Sequence, residues 1–306
     1  MGNNYPAIQT LQLSKVYKIS GDQRRTAVDA LDLTVQPGEI FGFLGPNGAG
    51  KTTTIKMILG FIKPTGGDAR LFGLPIDDPE SRGQVGYLPE QPYFYKFMTP
   101  REIVSTHAAL AGVPRRQRKS HVDEIIHMVG LQELARTPVS KVSKGQMQRV
   151  GIAQALVGDP KLLILDEPAS GLDPLGRYQM RDLLIRQKEQ GRTVFLSSHL
   201  LSEIETVCDR VAVLSHGKLV AVGSPDEIKQ GEDRVSVVTT ELPVAIEAAL
   251  INLGSTVGYS DGRTTISIDG DCVYELIDVL RQSGLPLLGV TPNRESLEQA
   301  FLRLAA

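Results

Sequence analysis

Cysteine is scarce in this 306-residue chain, which has only Cys208 and Cys272, far apart in sequence. That fits a reduced, cytosolic compartment better than a disulfide framework, with both thiols expected as small core residues. A large excess of charge of either sign is missing as well. The formal net charge is −2 at pH 7, so no basic excess marks a nucleic-acid binder. No apolar run approaches the length of a membrane span. Met1 to Pro6 has neither a basic start nor an apolar segment, so no signal peptide is expected. The chain is expected to be soluble by itself, and a membrane role would require a separate partner. The few histidines form no metal pattern, since the spacing of His121 and His127 puts them on different faces of a helix. What remains is the composition of an ordinary globular protein, long enough for one large domain plus a small one.

One stretch organises the rest: Gly45-Pro46-Asn47-Gly48-Ala49-Gly50-Lys51-Thr52-Thr53. The apolar run Ile40–Leu44 before it reads as a buried strand, and Thr54–Leu59 after it has helical spacing. Strand, glycine loop and helix are the context in which G-x-x-x-x-G-K-[ST] signals a nucleotide site. A polyphosphate needs many donors at close range, and side chains at Gly48 or Gly50 would block the backbone. Successive N–H groups then curl around the phosphates while the helix points its positive end at them. Lys51 can reach the β- and γ-phosphates, and the Thr52 hydroxyl can ligate Mg²⁺.

Upstream, Ile8–Tyr17 and Ala27–Val35 alternate as strands around a polar turn at Gly21–Arg25. Tyr17 reads by itself as a half-buried strand aromatic. Downstream, Ala69–Phe72 and Gln84–Leu88 are short strands. The loop Pro89-Glu90-Gln91-Pro92 follows, and then Tyr93, Phe94, Tyr95 and Phe97, a concentration of rings in a chain with eight Phe and eight Tyr. Thr99, Pro100 and Glu102 form a helix start with a capping box. Helices are expected over Pro100–Ala111 and Arg115–Val129, in a strand-free region that looks inserted. The basic run Arg115–Lys119 reads as a solvated helix start.

A second chemical cluster begins at Ser143-Lys144-Gly145-Gln146, which opens a helix. Leu162–Leu165 is a continuous apolar strand ending in Asp166-Glu167. Two carboxylates at the C-terminal end of a buried strand are the second half of a phosphate-hydrolysis site: Asp166 can hold Mg²⁺ through water and Glu167 can polarise an attacking water. Ser170–Pro174 is a tight turn that starts the next helix. Thr193–Leu196 is a further parallel strand. His199 follows at its C-terminal end, where ligands bind in open α/β sheets.

These residues resemble the nucleotide-binding subunit of an ABC transporter over roughly residues 7 to 230. GPNGAGKTT is similar to the family's Walker A, VSKGQ (Val142–Gln146) to its LSGGQ signature, LLILDE to Walker B, Ser170–Asp173 to the D-loop and His199 to the switch histidine. The signature is the specific part, since other P-loop enzymes share the phosphate loop and acidic strand. The resemblance implies a P-loop NTPase of the α/β class: a RecA-like core, an antiparallel β subdomain and a helical subdomain at about 92–158. It also implies that Tyr17 stacks on adenine, and that Ser143, Gly145 and Gln146 bind the γ-phosphate of ATP held by a second protomer. Asp173 would act across that head-to-tail interface, Glu167 would serve as base, and His199 would contact the γ-phosphate. Two positions depart from the family pattern. Lys144 stands where the signature has glycine, and the Q-loop glutamine's place holds Glu90, with Gln91 next; either could take the Q-loop role and its contact with the metal. Pro-Glu at that spot is similar to the ATPases of bacterial drug, lipid or polysaccharide exporters. The implied partners are a separately encoded membrane permease and a second ATPase protomer, with no nucleic acid. The implied location is the cytoplasmic face of the membrane.

From Glu232 the pattern changes. Strands at Val235–Val238, Thr256–Tyr259, Thr264–Ile268 and Leu287–Val290 alternate with helices at Pro243–Leu253 and Cys272–Gln282, with a turn at Asp261-Gly262. That βαββαβ order is the ferredoxin-like arrangement, so residues 232–306 are expected to form a small α+β dimerisation or regulatory domain ending in an amphipathic helix. A soluble ABC protein acting on ribosomes or DNA is the alternative. That class tends to carry two cassettes or long coiled coils, whereas this chain has one phosphate loop and no heptad run. A P-loop kinase is disfavoured by the signature helix.

Overall fold

Long alternating segments at the N-terminus form an antiparallel ribbon, β1 (Ile8–Ser20) against β2 (Gln23–Val35). The computed structural model describes residues 5–20, 23–199, 201–229, 234–243, 246–247, 250, 254–260, 262–292 and 296–305. The chain divides into two compact units, Met1–Pro225 with Phe301–Ala306, and Asp226–Ala300.

In the first unit the ribbon continues through β4 (Gly66–Leu71) and β5 (Leu74–Pro75), giving a sheet of order β2-β1-β4-β5. Beside it lies the main sheet. Its strands are β3 (Ile40–Leu44), β6 (Val85–Leu88), β7 (Leu162–Asp166), β8 (Thr193–Ser198), β9 (Arg210–Ser215) and β10 (Lys218–Gly223), in the order β10-β9-β3-β8-β7-β6. All pairings are parallel except the edge strand β10 on β9. Every residue of β3, β7 and β8 is buried, as continuous apolar strands covered on both faces must be. Phe41 of β3 stacks on Phe195 of β8 with centroids 5.9 Å apart, and Phe43 leans on the same ring at 5.3 Å.

Helix α1 (Lys51–Ile58) follows the phosphate loop and α2 (Pro79–Gly83) precedes β6. Between β6 and β7 come α3 (Pro100–Leu110), α4 (Arg115–Met128) and α5 (Lys144–Leu156), with α3 packed on both others. Thr99 and Glu102 form the expected capping box, and the Thr99 bonds hold the Glu102 carboxyl below its ordinary range. Helix α6 (Pro174–Glu189) joins β7 to β8, and α7 (Leu201–Val207) lies between β8 and β9. The β9–β10 turn, His216-Gly217, has positive φ at both residues (48° and 80°). Its Gly217 N–H donates to the Ala49 carbonyl at 2.9 Å, and the Gly217 carbonyl accepts from the Asp29 N–H at 2.8 Å. One hairpin tip thus joins the phosphate loop to β2.

The second unit carries β11 (Arg234–Thr239), β12 (Thr256–Ser260), β13 (Arg263–Asp269) and β14 (Gly289–Pro292), all antiparallel, in the order β12-β13-β11-β14. That is the strand order of a ferredoxin-like sheet. Val237, Ile266, Ile268, Leu276 and Leu280 are the centre of its core, the last two from the helix Val273–Gln282. Two adjustments to the expected strands have physical causes. β14 starts later than the apolar pair Leu287-Leu288 suggests, because pairing with β11 begins at Gly289 opposite Val238 and both leucines stay about half exposed. β4 ends at Leu71, because Phe72 turns to φ 50°. Gly21 and Asp22 of the first turn, Asp261, and most of the helix expected at Pro243–Leu253 lie outside the described residues. Both cysteines are free. Cys208 is buried, and burial pushes its thiol up, out of the reactive range. Among the described residues, no helix is long and apolar enough to cross a membrane.

Candidate nucleotide-binding site

The site stands at the C-terminal ends of three adjacent strands. β3 delivers the glycine loop, β7 delivers Asp166 and Glu167, and β8 delivers His199. The parallel register sets Leu44 beside Ser198 and Asp166 beside Ser197, so ladder spacing brings together groups far apart in sequence.

Gly48 and Gly50 have φ of 83° and 112°, in the region that favours glycine. A Cβ on Gly50 would stand 2.3 Å from the Ala27 carbonyl oxygen, so no other residue fits at the start of α1. Lys51 is buried at the first turn of that helix. Its Nζ donates to the Gly45 carbonyl at 2.6 Å and pairs with Glu167 Oε1 at 3.6 Å. The other Glu167 oxygen, Oε2, meets His199 Nδ1 at 2.7 Å and accepts from the His199 N–H at 3.3 Å. Glu167 is therefore held between a lysine and an imidazole.

Glu167 has φ 53°, a left-handed conformation uncommon for a side chain of its size. Its N–H is shared between the Ser197 carbonyl at 3.1 Å and the Ser197 hydroxyl at 3.0 Å, and that hydroxyl donates to Asp166 Oδ1 at 2.5 Å. Asp166 is 2% exposed. Burial, and then the Asp166 charge, pushes the neighbouring Tyr87 phenol up to about 12. Glu203 of α7 is raised too, first by burial, with Glu167 adding and Arg177 and His199 opposing.

Tyr17, Pro46, Asn47, Gly48, Gly50, Lys51, Thr52, Thr53, Glu90, Glu167 and His199 line one cavity of about 550 Å³. Gly45 and Ala49 shape it from behind, the first through its carbonyl on Lys51 and the second buried on the Gly217 turn. Gln91, next to Glu90, is exposed and does not line it. The Glu90 carbonyl accepts from Gln148 Nε2 of α5 at 3.2 Å. Ser143, Gly145, Gln146 and Asp173 lie elsewhere, around a second concavity of about 400 Å³ with Lys144 and Gly171. Ser143 and Gln146 cap α5 reciprocally, and the Asp173 carboxylate caps α6 by accepting from the Gly176 N–H at 2.8 Å. The Lys144 ammonium lies where a side chain on Gly171 would stand, so Lys144 packs over the turn that holds Gly171.

Sequence reasoning missed two residues here. Arg25 lines the nucleotide cavity as the cross-strand partner of Tyr17, and the register of the β1–β2 ribbon is the signal that would have found it. Ser197 stands two residues before His199 in the sequence, and only the β7–β8 register shows that its hydroxyl meets both carboxylate residues.

Residues 28–170 match the ABC transporter family. The chain is 40% identical over 305 residues to an uncharacterized ABC transporter ATP-binding protein of Nostoc sp., covering 98% of this chain and 90% of that one. It is 37% identical over 303 residues to the bacitracin transport ATP-binding protein BcrA of Bacillus licheniformis, covering 97% and 96%. A solved ATP-binding subunit of an ABC transporter superposes with a TM-score of 0.64 at 30% identity, over 72% of this chain and 91% of that chain. A dimeric ATP-binding cassette in a post-hydrolysis state bound to ADP and Pi gives 0.65 at 25% identity, over 71% and 98%.

Proposed function

This chain belongs to the ABC transporter ATP-binding family, and from that premise we propose that it powers export through a separately encoded membrane permease, working as a homodimer on the cytoplasmic face of the membrane. It is an ATPase, as members of the family are. The observation that carries the residue assignment is the convergence of Lys51, Glu167 and His199 at one cavity lined by the phosphate loop. Lys51 and the loop amides hold the phosphates, and Tyr17 stacks on the adenine. Glu167 takes the proton of the attacking water, and His199 orients the γ-phosphate beside it. Thr52, which lines the cavity, and the buried Asp166, which accepts from the Ser197 hydroxyl, are the oxygen-bearing residues that would hold Mg²⁺, a cation that takes oxygen ligands and keeps several waters. Bound there, Mg²⁺ would supply positive charge against the negative charge that develops on the phosphates during transfer. Glu90 is the Q-loop residue that reaches this cavity, and its carbonyl bond to Gln148 ties it to the signature helix.

Ser143, Gly145, Gln146 and Asp173 stand apart from the phosphate loop of their own chain, which suits a site completed by the partner protomer's nucleotide. The helix N-terminus at Ser143 supplies the positive end. Residues 7–230 form the ATPase domain in this reading, with 232–306 an accessory domain. A chain ending at Gln230 is therefore expected to fold and to bind ATP with the affinity of the full chain. A soluble truncated chain that has lost binding would make the second unit part of the core.

Export is proposed because the relatives include ATPases named for bacitracin transport and for Nod factor export. Coupling is assigned to the aromatic loop after Glu90. Tyr93, Tyr95 and Phe97 are well exposed, with Tyr95 and Phe97 stacked at 5.7 Å, while Phe94 is half-buried. Exposed clustered rings mark an interface. The test is purification of the tagged chain from membranes. We expect an integral-membrane protein to accompany it and to stimulate its ATPase, and Tyr95→Ala to weaken that association about tenfold without unfolding the chain. Recovery with ribosomes or DNA and no membrane protein would overturn the transport reading. Normal association of Tyr95→Ala would remove this loop from the interface.

A further inference from the structure

Strand β8 follows the apolar run Val194–Leu196 with two buried serines, Ser197 and Ser198. Thr193 to Ser198 are all buried, and Ser197 has no exposed surface. A hydroxyl in that setting must be bonded, and a serine serving only the ladder would satisfy itself on its own strand. Ser197 instead reaches sideways. Its Oγ donates to Asp166 Oδ1 at 2.5 Å and accepts from the Glu167 N–H at 3.0 Å. The same N–H already has the Ser197 carbonyl at 3.1 Å, so the hydroxyl is not needed to complete the sheet. What lies beyond it is unusual: Glu167 takes φ 53° immediately after the strand. A non-glycine residue there is strained and persists only where its surroundings over-determine it. The side chain that emerges has one carboxylate oxygen on Lys51 and the other on His199.

We propose that Ser197 is a positioning residue for the hydrolytic step, its hydroxyl fixing Asp166 and the Glu167 main chain relative to each other so that the Glu167 carboxylate is aimed at the phosphate loop. Ser197 acts through Asp166 and Glu167, so this inference rests on the reading of Glu167 as the base. It adds a fixed geometric link between two carboxylates whose own side chains point to different tasks. Because the ladder bond to the Ser197 carbonyl survives loss of the hydroxyl, the link can be cut without cutting the sheet.

The test compares Ser197→Ala, Ser197→Thr and Glu167→Gln for kcat, KM for ATP, ATP affinity at equilibrium and melting temperature. Ser197→Ala is expected to lower kcat by about 10- to 100-fold, the scale of a small misplacement of a catalytic group. KM and ATP affinity should stay within about twofold, since the phosphate-loop contacts are untouched. Ser197→Thr, which keeps the hydroxyl, should recover most of kcat. Wild-type turnover by Ser197→Ala beside an inactive Glu167→Gln would overturn the positioning role and leave the base assignment standing. Full turnover by Glu167→Gln would overturn the base assignment, and this inference with it. Parallel losses in kcat, affinity and melting temperature, with Thr no better than Ala, would make Ser197 a packing residue only and overturn the proposal.

Discussion

Lys51→Ala is expected to lose most ATP binding. Lys51 is 7% exposed, so its ammonium acts where water screens little. A charge-assisted hydrogen bond contributes about 1.5–3 kcal/mol, and Lys51 can give two, to the β- and γ-phosphates. Losing both weakens binding by at least about 10²-fold. The substitution also leaves Glu167 Oε1 without the ammonium it pairs with at 3.6 Å, putting an unopposed carboxylate closer in effect to the phosphates. Alanine is the best helix former and stands at the first residue of α1, so the fold should survive. Calorimetric or fluorescence titration with ATP measures the loss. Unchanged affinity in a folded Lys51→Ala chain would remove the phosphate-loop assignment.

Glu167→Gln is expected to separate binding from chemistry. Glutamine keeps the shape of the side chain and a carbonyl oxygen for His199, while losing the capacity to take a proton from water. Removal of a positioned base costs about 10²- to 10⁴-fold in rate. ATP should still bind, because Lys51 and the loop amides remain. With hydrolysis blocked, ATP holds the two protomers together, so the mutant should run as a dimer on gel filtration with ATP and as a monomer without it. Phosphate release at the wild-type rate would assign the base elsewhere.

The parts of this site visible in the sequence are those whose chemistry is local. Gly45 to Thr53 state their purpose within nine residues, because a curled main chain demands glycine at set intervals and a lysine at the helix start. The strands Ile40–Leu44 and Leu162–Asp166 are equally plain, since a strand covered on both faces must be apolar throughout. Ser143 and Thr99 announced their helices through side chains that bond three residues on. Ser197 and Arg25 were hidden because their partners lie across strands: Asp166 stands opposite Ser197 and Tyr17 opposite Arg25 only once register is known. The left-handed turn at Glu167 could not be read at all, as no residue type marks it. Leu287 and Leu288 misled in the opposite sense: an apolar pair suggested a strand, while pairing begins at Gly289.

The hairpin tip at His216-Gly217 has a thermodynamic meaning. Through Ala49 and Asp29 it clasps the phosphate loop by main-chain bonds from a segment more than 160 residues away, and a side chain on Gly217 would crowd the Ala27 carbonyl at 2.9 Å. The loop's curvature is thus held by the protein's own backbone and not by whatever it encloses. Ordering a flexible segment on binding subtracts from affinity. A nucleotide entering this loop owes little of that entropy, so its interaction energy with the amides appears almost undiminished as affinity, and the ordering that remains falls on the pairing of two protomers.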